Sequence, residues 1–240
     1  MLKIKGLTVE VAGKRVLRSI DLEISEGEVH VLFGPNGSGK TSLIMSILGF
    51  PNYRVVSGEI WFKGVNITGM SIDQRVKLGI GVAFQNPPAV RGVKLGDLLK
   101  QLSGGEAEAS RLAKSMNLPP EFLEKDLNLG FSGGELKRSE ILQVLAQRPD
   151  FAIFDEPDSG VDVENLEVVG KAIEDFLGGE RAGLLVTHMG HILHYVDVDE
   201  AHVLLDGAIA CSGRPTQILE QIMREGYRWC ERCPRAKRPS

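Results

Sequence analysis

The sequence has few cysteines, no dense basic run in its body and no apolar stretch long enough to cross a membrane. Its 240 residues include three cysteines, Cys211, Cys230 and Cys233, which are too few for a disulfide-stapled fold. The formal net charge is −4, and a short basic segment occurs only at residues 235–238, so nothing electrostatic favours nucleic-acid binding. Spanning a bilayer takes about 20 apolar residues, and the N-terminus lacks the apolar segment of a signal peptide. We therefore expect a cytoplasmic protein without direct membrane insertion.

The rest of the composition is that of a globular protein, with 42% hydrophobic and 25% charged residues. Strand-like and helix-like segments alternate, which favours an α/β core. The first 24 residues alternate apolar and polar side chains about a turn at Gly13, which predicts a small antiparallel sheet. The pattern between residues 93 and 147 is helical. We predict one domain over residues 1–225, with an inserted helical subdomain at about residues 86–147, followed by a charged tail over residues 226–240.

A glycine-rich segment follows an apolar strand predicted over residues 28–33. Residues 34–41, Gly-Pro-Asn-Gly-Ser-Gly-Lys-Thr, match every fixed position of the phosphate-loop pattern G-x-x-x-x-G-K-[ST]. The glycines let backbone N–H groups close around phosphate oxygens. Lys40 can reach the β- and γ-phosphates, and the Thr41 hydroxyl can ligate Mg²⁺. A helix predicted over residues 41–48 adds the positive end of its dipole. The segment therefore predicts binding and hydrolysis of Mg-ATP.

Polar residues directly follow three further apolar strands. Asp155 and Glu156 follow one, His188 ends another and Gln85 ends a third. Ligands of open α/β sheets bind at the carboxyl ends of the strands. We expect Asp155 to hold Mg²⁺ through water and Glu156 to orient and deprotonate the attacking water. His188 is expected near the γ-phosphate, and Gln85 is placed to sense both the phosphate and Mg²⁺.

The tetrapeptide Ser-Gly-Gly-Glu occurs twice, at residues 103–106 and 132–135. Both copies fit the Ser-x-x-Glu capping box at the start of a helix. The second copy opens a helix that leads directly to the acidic strand, so its Ser132 and glycine amides form a second anion site. The first copy lies far from that strand in sequence. We assign ordinary capping to the first copy and a nucleotide contact to the second.

Two weaker patterns carry alternatives. Cys230 and Cys233 form one Cys-x-x-Cys pair, which is half of a tetrahedral metal site. The pair is either two solvated thiols on a mobile tail or a contact to a metal or cluster shared with a partner. His191 and His194 are three residues apart, and we interpret them as helix-face residues rather than metal ligands.

Taken together, the motifs resemble the ABC ATPases over essentially the whole chain up to about residue 225. The matching segments stand in that family's order: residues 34–41, Gln85, residues 131–135, Asp155–Glu156, residues 159–162 and His188. The resemblance implies an ATP-dependent homodimer, arranged head to tail around two ATP molecules. The phosphate loop of one subunit then faces Ser132 and its glycines from the other, and residues 159–162 form a dimer contact.

Within that superfamily the chain most resembles the ATPase subunit of the SUF iron–sulfur cluster assembly machinery. Asp158 and Gly160 stand where transporter ATPases usually have Thr and Ala. Residues 84–88 and the end of the last hairpin, residues 211–213, are also similar to that family. Val11 stands near the usual position of an adenine-stacking aromatic residue, which SUF ATPases often lack. The resemblance implies soluble SUF-type scaffold proteins as partners.

The predicted fold is an α/β P-loop NTPase core of the ABC type, with an N-terminal antiparallel β-subdomain and an inserted helical subdomain. The predicted cofactors are ATP and Mg²⁺. The predicted catalytic residues are Glu156, His188 and Lys40. The predicted Mg²⁺ ligands are Thr41, Gln85 and Asp155. The predicted ATP-binding residues are Gly34, Pro35, Asn36, Gly37, Ser38, Gly39, Lys40, Thr41, Ser42, Gln85, Ser132, Gly133, Gly134 and Glu135.

Two other functions share this catalytic machinery. The chain could be the nucleotide-binding subunit of a membrane transporter, or a stand-alone regulatory or DNA-associated ABC ATPase. The last is the weakest, because the sequence has neither a coiled-coil insertion nor a basic patch. The transporter function differs from the SUF interpretation only in what the surface from Gln85 to Asp97 binds, which fold chemistry does not decide.

Overall fold

The computed structural model describes residues 1–231, which form a six-stranded, a four-stranded and a two-stranded sheet with surrounding helices. The strands are β1 (Leu2–Val11), β2 (Lys14–Ile24), β3 (Val29–Phe33), β4 (Arg54–Phe62), β5 (Val65–Asn66), β6 (Ile80–Ala83), β7 (Val90–Lys94), β8 (Asp126–Leu127), β9 (Phe151–Asp155), β10 (Ala182–Val186), β11 (Glu200–Leu205) and β12 (Ala208–Gly213). The helices are α1 (Lys40–Leu48), α2 (Ile72–Lys77), α3 (Leu95–Ser103), α4 (Glu106–Ser115), α5 (Gly133–Gln147), α6 (Val163–Leu177), α7 (Pro215–Glu225) and α8 (Arg228–Glu231), with 3₁₀ turns at Pro120–Glu124 and His191–His194.

The four-stranded sheet comes from the beginning of the chain and has the order β2-β1-β4-β5, with antiparallel neighbours. Side chains alternate across the faces of a strand, so Leu7 and Val9 of β1 are fully buried while their neighbours are not. Ala12 and Gly13 both have positive φ, at 48° and 78°, as a two-residue hairpin turn requires. The predicted N-terminal antiparallel sheet is confirmed.

The six-stranded sheet has the order β12-β11-β3-β10-β9-β6. All neighbouring pairs are parallel except the edge pair β11–β12. Every residue of β3, β9 and β10 is buried, as expected for parallel strands covered on both faces. The carboxyl ends of β3, β6, β9 and β10 therefore meet along one edge, and the residues that follow these strands gather there. The predicted α/β core is confirmed.

The six-stranded sheet separates two apolar cores. Leu32 of β3 faces the core shared with α1 and the N-terminal sheet. Val31 and Phe33 face the other core, which α3 to α6 complete. Consecutive residues of one strand thus serve opposite cores, which fixes the register of the strand.

The region expected to be helical contains a small sheet that sequence patterns did not predict. Strands β7 and β8 pair antiparallel, and all five residues of β7 are exposed. Gly133 and Gly134 lie inside the first turn of α5. The limits of the helical subdomain, residues 86–147, and of the single domain, residues 1–225, stay predictions.

The beginning of the expected tail is folded. Helix α8 follows Gly226, and Cys230 is fully buried against the core. The prediction of a solvated thiol is therefore wrong for Cys230, because α8 turns it towards the apolar interior. Cys233 lies outside the described residues. Within residues 1–231, no helix combines the length and apolar composition that crossing a bilayer requires.

Candidate functional site

The phosphate loop connects β3 to α1 at the carboxyl edge of the six-stranded sheet. Gly39 precedes α1 with φ of 111°, and a Cβ there would lie 3.0 Å from a methyl carbon of Leu17 and 3.2 Å from the Val16 carbonyl oxygen. A Cβ on Gly34 would lie 2.5 Å from the Ser38 hydroxyl and 2.6 Å from the Leu204 carbonyl oxygen. Packing therefore requires glycine at both positions, and at Gly39 the left-handed backbone conformation favours it as well.

Lys40 is the first residue of α1, and its side chain is buried under the loop. Its ammonium donates hydrogen bonds to the carbonyl oxygens of Gly34 at 2.7 Å and Pro35 at 3.2 Å. Burial lowers the pKa of Lys40, while the carboxylates of Glu156 and Asp155 raise it. The ammonium group of Lys40 thus lies between the phosphate loop and the two acidic residues.

A cavity of about 790 Å³ opens over the loop. Its walls include half of the predicted nucleotide-binding residues together with residues of β2 and of the β11–β12 turn. They are Arg15, Val16, Arg18, Asn36, Gly37, Gly39, Lys40, Thr41, Ser42, Gln85, Asp155, Glu156, Asp206 and Gly207. The loop, the acidic pair and Gln85 therefore share one space, as the strand ends predicted.

Asp155 is the last residue of β9, and both its side chain and that of Glu156 are buried. Burial and the neighbouring carboxylate of Glu156 raise the pKa of Asp155 to about 6. Glu156 has a φ of 49°, a left-handed conformation that costs a non-glycine residue about 1–2 kcal/mol. Its amide donates to the Val186 carbonyl oxygen at 2.7 Å, so β10 holds this conformation in place.

Two predicted site residues hold the Glu156 carboxylate from opposite sides. The Gln85 amide nitrogen donates to Oε2 at 2.6 Å. His188 Nδ1 lies 3.1 Å from Oε1. Gln85 follows β6 and His188 follows β10, the two strands that flank β9 in the sheet. The neighbouring strands thus orient the one carboxylate for which a base role is predicted.

The donors at this edge fit a magnesium ion. Thr41, Gln85 and Asp155 line the same cavity and offer hydroxyl, amide and carboxylate oxygens, the hard ligands that Mg²⁺ prefers. Two adjacent carboxylates, 6% and 5% exposed, lie near the ammonium groups of Lys40 and Lys137. A divalent cation there would offset the charge that raises the pKa of Asp155.

Lys137 is a site residue that the sequence analysis missed. It lies on α5, is 4% exposed, and its ammonium is 3.2–3.4 Å from the carbonyl oxygens of Phe84, Gln85 and Asp155. Burial lowers its pKa, while Asp155 and other nearby carboxylates raise it. No sequence signal marked this burial, because all the residues of α5 from Lys137 to Leu142 are buried and form no apolar stripe.

The segment 132–135 does not line the cavity within one chain. Ser132 begins α5 with a reciprocal capping box: its amide donates to Glu135 Oε2 at 2.7 Å, and the Glu135 amide donates to Ser132 Oγ at 3.4 Å. Ser132 and Gly133 are exposed, and a Cβ on Gly133 would meet only the Gly160 carbonyl oxygen, at 3.5 Å. Ser132 and Gly133 are therefore accessible to a group approaching from outside the chain.

The first copy of the tetrapeptide does not cap a helix, so the prediction of ordinary capping is wrong. Ser103 is the last residue of α3, and Gly104 ends that helix with φ of 83°. The Ser103 hydroxyl donates to the Leu99 carbonyl oxygen at 2.7 Å. Helix α4 then begins after Gly105, without a side-chain cap. Helix α3 continues as far as Ser103, so this serine ends one helix instead of capping the next.

The wall of the cavity beyond the phosphate loop includes residues of β2. Val11 ends β1, opposite Lys14 in the hairpin, and does not line the cavity. Val16 and Arg15 of β2 lie there instead. None of the described residues that line the cavity is aromatic.

Asp158 connects the predicted dimer-contact loop, residues 159–162, to the end of β10, next to His188. Its carboxylate is buried and accepts the Thr187 hydroxyl, with oxygens at 2.9 and 3.0 Å. Asp162 ends the loop and caps α6 by accepting the Asn165 amide at 2.9 Å. His191 and His194 lie exposed in a 3₁₀ turn.

Comparison with known proteins identifies relatives for this arrangement. Residues 17–159 match the family model described as "ABC transporter". The chain is 36% identical over 240 residues to a "Probable ABC transporter ATP-binding protein" of Streptococcus pyogenes, with 95% of this chain and 93% of the relative covered. It is 36% identical over 245 residues to the "Probable ATP-dependent transporter SufC" of Escherichia coli, with 95% and 98% covered.

Solved structures agree with the fold. The structure of an ATP-binding subunit of an ABC transporter superimposes with a TM-score of 0.80 at 22% identity, covering 96% of this chain and 99% of that one. A nucleotide-free ATP-binding cassette from an ABC transporter superimposes with a TM-score of 0.78 at 21% identity, covering 94% and 95%. At this identity the similarity supports the P-loop ABC architecture.

Proposed function

The chain belongs to the ABC transporter ATPase family and is an ATP hydrolase, and from this premise we propose that it powers iron–sulfur cluster assembly on a soluble SUF-type scaffold. The catalytic part of the proposal depends on one observation: Glu156 lies in the cavity above the phosphate loop, held by Gln85 and His188. A carboxylate held on both sides is oriented before substrate binds.

We propose the following roles at this site. The loop amides and Lys40 bind the β- and γ-phosphates of ATP. Glu156 orients the attacking water and accepts its proton, while His188 holds Glu156 and contacts the γ-phosphate. Thr41, Gln85 and Asp155 would hold Mg²⁺, which neutralises charge on the phosphates when bound.

The second anion site is supplied by a second copy of the chain. Ser132 and the exposed amides at the start of α5 lie outside the cavity of their own chain. In a head-to-tail homodimer they would face the γ-phosphate held by the other phosphate loop. A lone subunit is then expected to bind ATP but to hydrolyse it slowly.

Replacement of the base tests the catalytic assignment. Glu156→Gln should keep ATP binding, trap an ATP-bound dimer and lower turnover by about 10²–10⁴-fold, the range for a general base. Steady-state phosphate release and size-exclusion chromatography with ATP measure both effects. The matched control is Glu164→Gln, an exposed carboxylate on α6, which should turn over normally. Normal turnover of Glu156→Gln would rule out the base role.

Three observations support the SUF assignment. Asp158 and Gly160 match the SUF pattern, the cavity wall lacks an aromatic residue among those described, and the similarity to SufC covers nearly the whole of both chains. The alternative, a nucleotide-binding subunit of a membrane transporter, is supported by the names of the Streptococcus pyogenes relatives. Cytoplasmic location stays a prediction.

Identifying the proteins that co-purify with the chain distinguishes the SUF assignment from the transporter function. Val90 and Val93 of β7 are 36% and 40% exposed, close after Gln85, and fall in the surface expected to bind the partner. Purification of the tagged chain from its own host should recover soluble scaffold proteins, and Val93→Asp should lose them. Val163→Asp, at a 76% exposed position on α6, should retain them. Recovery of an integral membrane protein instead would reject the SUF assignment.

A further inference from the structure

Three potential metal ligands meet at the end of the six-stranded sheet opposite the phosphate loop. His30 lies on β3, and Glu200 and His202 lie on the adjacent parallel strand β11. Glu200 pairs directly with His30 in the register. Since alternate residues of a strand share a face, all three side chains lie on the same face of the sheet. One ligand atom from each lies within 4.8 Å of the other two.

The two imidazoles face each other inside the protein. His30 Nδ1 and His202 Nε2 are 2.9 Å apart, and the two residues are only 2% and 5% exposed. Glu200 is half-buried, so its carboxylate reaches both the buried pair and solvent. Such a group gives an ion a path into the site.

Each imidazole has a polar partner on its outer nitrogen. The carboxylate of Glu28 lies 3.3 Å from His30 Nε2. The hydroxyl of Ser212, on β12 opposite His202, lies 2.7 Å from His202 Nδ1. Histidines that bind metals almost always donate their other N–H to a carboxylate, carbonyl or water, which fixes the ring and its tautomer. With both outer nitrogens as donors, the two inner nitrogens present lone pairs to one point.

We propose that His30, Glu200 and His202 bind one divalent transition-metal ion, with Zn²⁺ the best match. Two histidines and a glutamate are an established zinc donor set, and imidazole with carboxylate disfavours the soft cations that select thiolates. The ion would join β3, which carries the phosphate loop, to β11, whose far end carries Asp206 into the cavity wall. It is separate from the Mg²⁺ of ATP hydrolysis.

The competing arrangement is a chain of hydrogen bonds without a metal. Ser212 would donate to His202, His202 to His30, and His30 to Glu28, which satisfies every nitrogen of both rings. This chain needs no contribution from Glu200. Zinc binding that depends on Glu200 therefore separates the two arrangements.

The decisive experiment measures Zn²⁺ on the full-length chain, purified with a tag that contains no histidine. A Cys233→Ser background removes the second thiol of the C-terminal Cys-x-x-Cys pair. Atomic absorption should find one zinc per chain, and competition with a chelating dye should give a dissociation constant below about 1 μM. Zinc should also raise the melting temperature, since an ion that binds only the folded state stabilises it.

Variants then locate the ion. His30→Gln, His202→Gln and Glu200→Gln should each lose most of the zinc. Glu28→Gln should weaken binding by about 10–100-fold, the usual cost of losing an outer partner. His194→Gln, which changes an exposed histidine, is the matched control and should bind as the parent does.

Two results would overturn the proposal: a parent chain that binds no zinc at 1 μM (a standard free energy of about −8 kcal/mol), or His202→Gln and Glu200→Gln chains that bind it as tightly as the parent. ATP binding by each variant verifies its fold. Should a histidine variant fail to fold, the parent's zinc content and the Glu28→Gln and Glu200→Gln affinities decide the question.

Discussion

The two Ser-Gly-Gly-Glu segments have the same four residues and opposite structures. In the first, Ser103 ends α3, Gly104 takes a left-handed conformation and Gly105 starts the next helix. In the second, Ser132 starts α5 and both glycines lie in its first turn. The tetrapeptide therefore specifies a helix boundary but not which side of the boundary each residue occupies.

The preceding residues decide the difference. Leu95 and Leu99 of α3 are fully buried one turn apart, so the helix is already formed when it reaches Ser103. Phe131 instead stacks edge-on against Phe122, with ring centroids 4.9 Å apart. This contact holds the chain extended before Ser132, which has φ of −66° and ψ of 164°. An extended serine can cap, whereas a helical serine cannot.

The largest expected effect comes from filling the two serine positions with the same bulky cation. Ser132→Arg should lower ATP hydrolysis by at least about 10²-fold, the cost of losing a preorganised anion contact. The bulky arginine side chain would keep the phosphate away from the backbone amides at the start of α5. Ser103→Arg should change the rate less than about twofold, since Ser103 contacts only its own helix end. Phosphate release measures both rates. Equal losses in the two variants would show that the second copy has no special role.

Substitution of a glycine should affect mainly stability in the first segment and mainly activity in the second. Gly104→Ala places a side chain at φ of 83°, which should lower the free energy of unfolding by about 1–2 kcal/mol without changing the turnover of the folded protein. The Cβ of Gly133→Ala makes an ordinary contact with the Gly160 carbonyl oxygen at 3.5 Å, so its stability should stay within about 0.5 kcal/mol while hydrolysis falls. Urea unfolding and phosphate release test the pair. A Gly133→Ala protein that is unstable but fully active would contradict the assignment.

The smallest effect concerns the glutamates. Glu135→Ala removes half of the capping box and should cost about 0.5–1 kcal/mol, whereas Glu106→Ala removes no cap. The Ser132 amide holds the pKa of Glu135 below its ordinary value of 4.5. Its stabilisation is therefore fully present above that pH and disappears as pH falls through the lower pKa of the folded state. Thermal unfolding of both variants over a descending pH series measures the difference, and a Glu135→Ala effect that does not decrease as the pH falls through the lowered pKa of Glu135 would contradict it.

The sequence predicted what local patterns determine. Helix α6 is of this kind, because Asp162 caps it and its apolar side chains repeat at helical spacing. The cavity was predictable because parallel strands bring Gln85, Glu156 and His188 to one edge.

Features that depend on distant parts of the chain were not predictable. Strand β8 has two residues and pairs with an entirely exposed β7, so neither has a periodic pattern. Lys137 resembles a solvated helix residue until the fold places three carbonyl oxygens around it. The pairing of His30 with His202 spans 172 residues and depends on the register between β3 and β11.

The folded C-terminal segment gives the protein an intrinsic optical probe. The chain has two tryptophans: Trp61 is on the N-terminal sheet, and Trp229 is on α8, packed against the core. Two residues before Trp229, the Tyr227 hydroxyl donates to the His188 carbonyl oxygen at 3.3 Å. A Trp61→Phe protein would emit from Trp229 alone. The fluorescence of Trp229 would then report movement of the segment around His188 during turnover, without any attached dye.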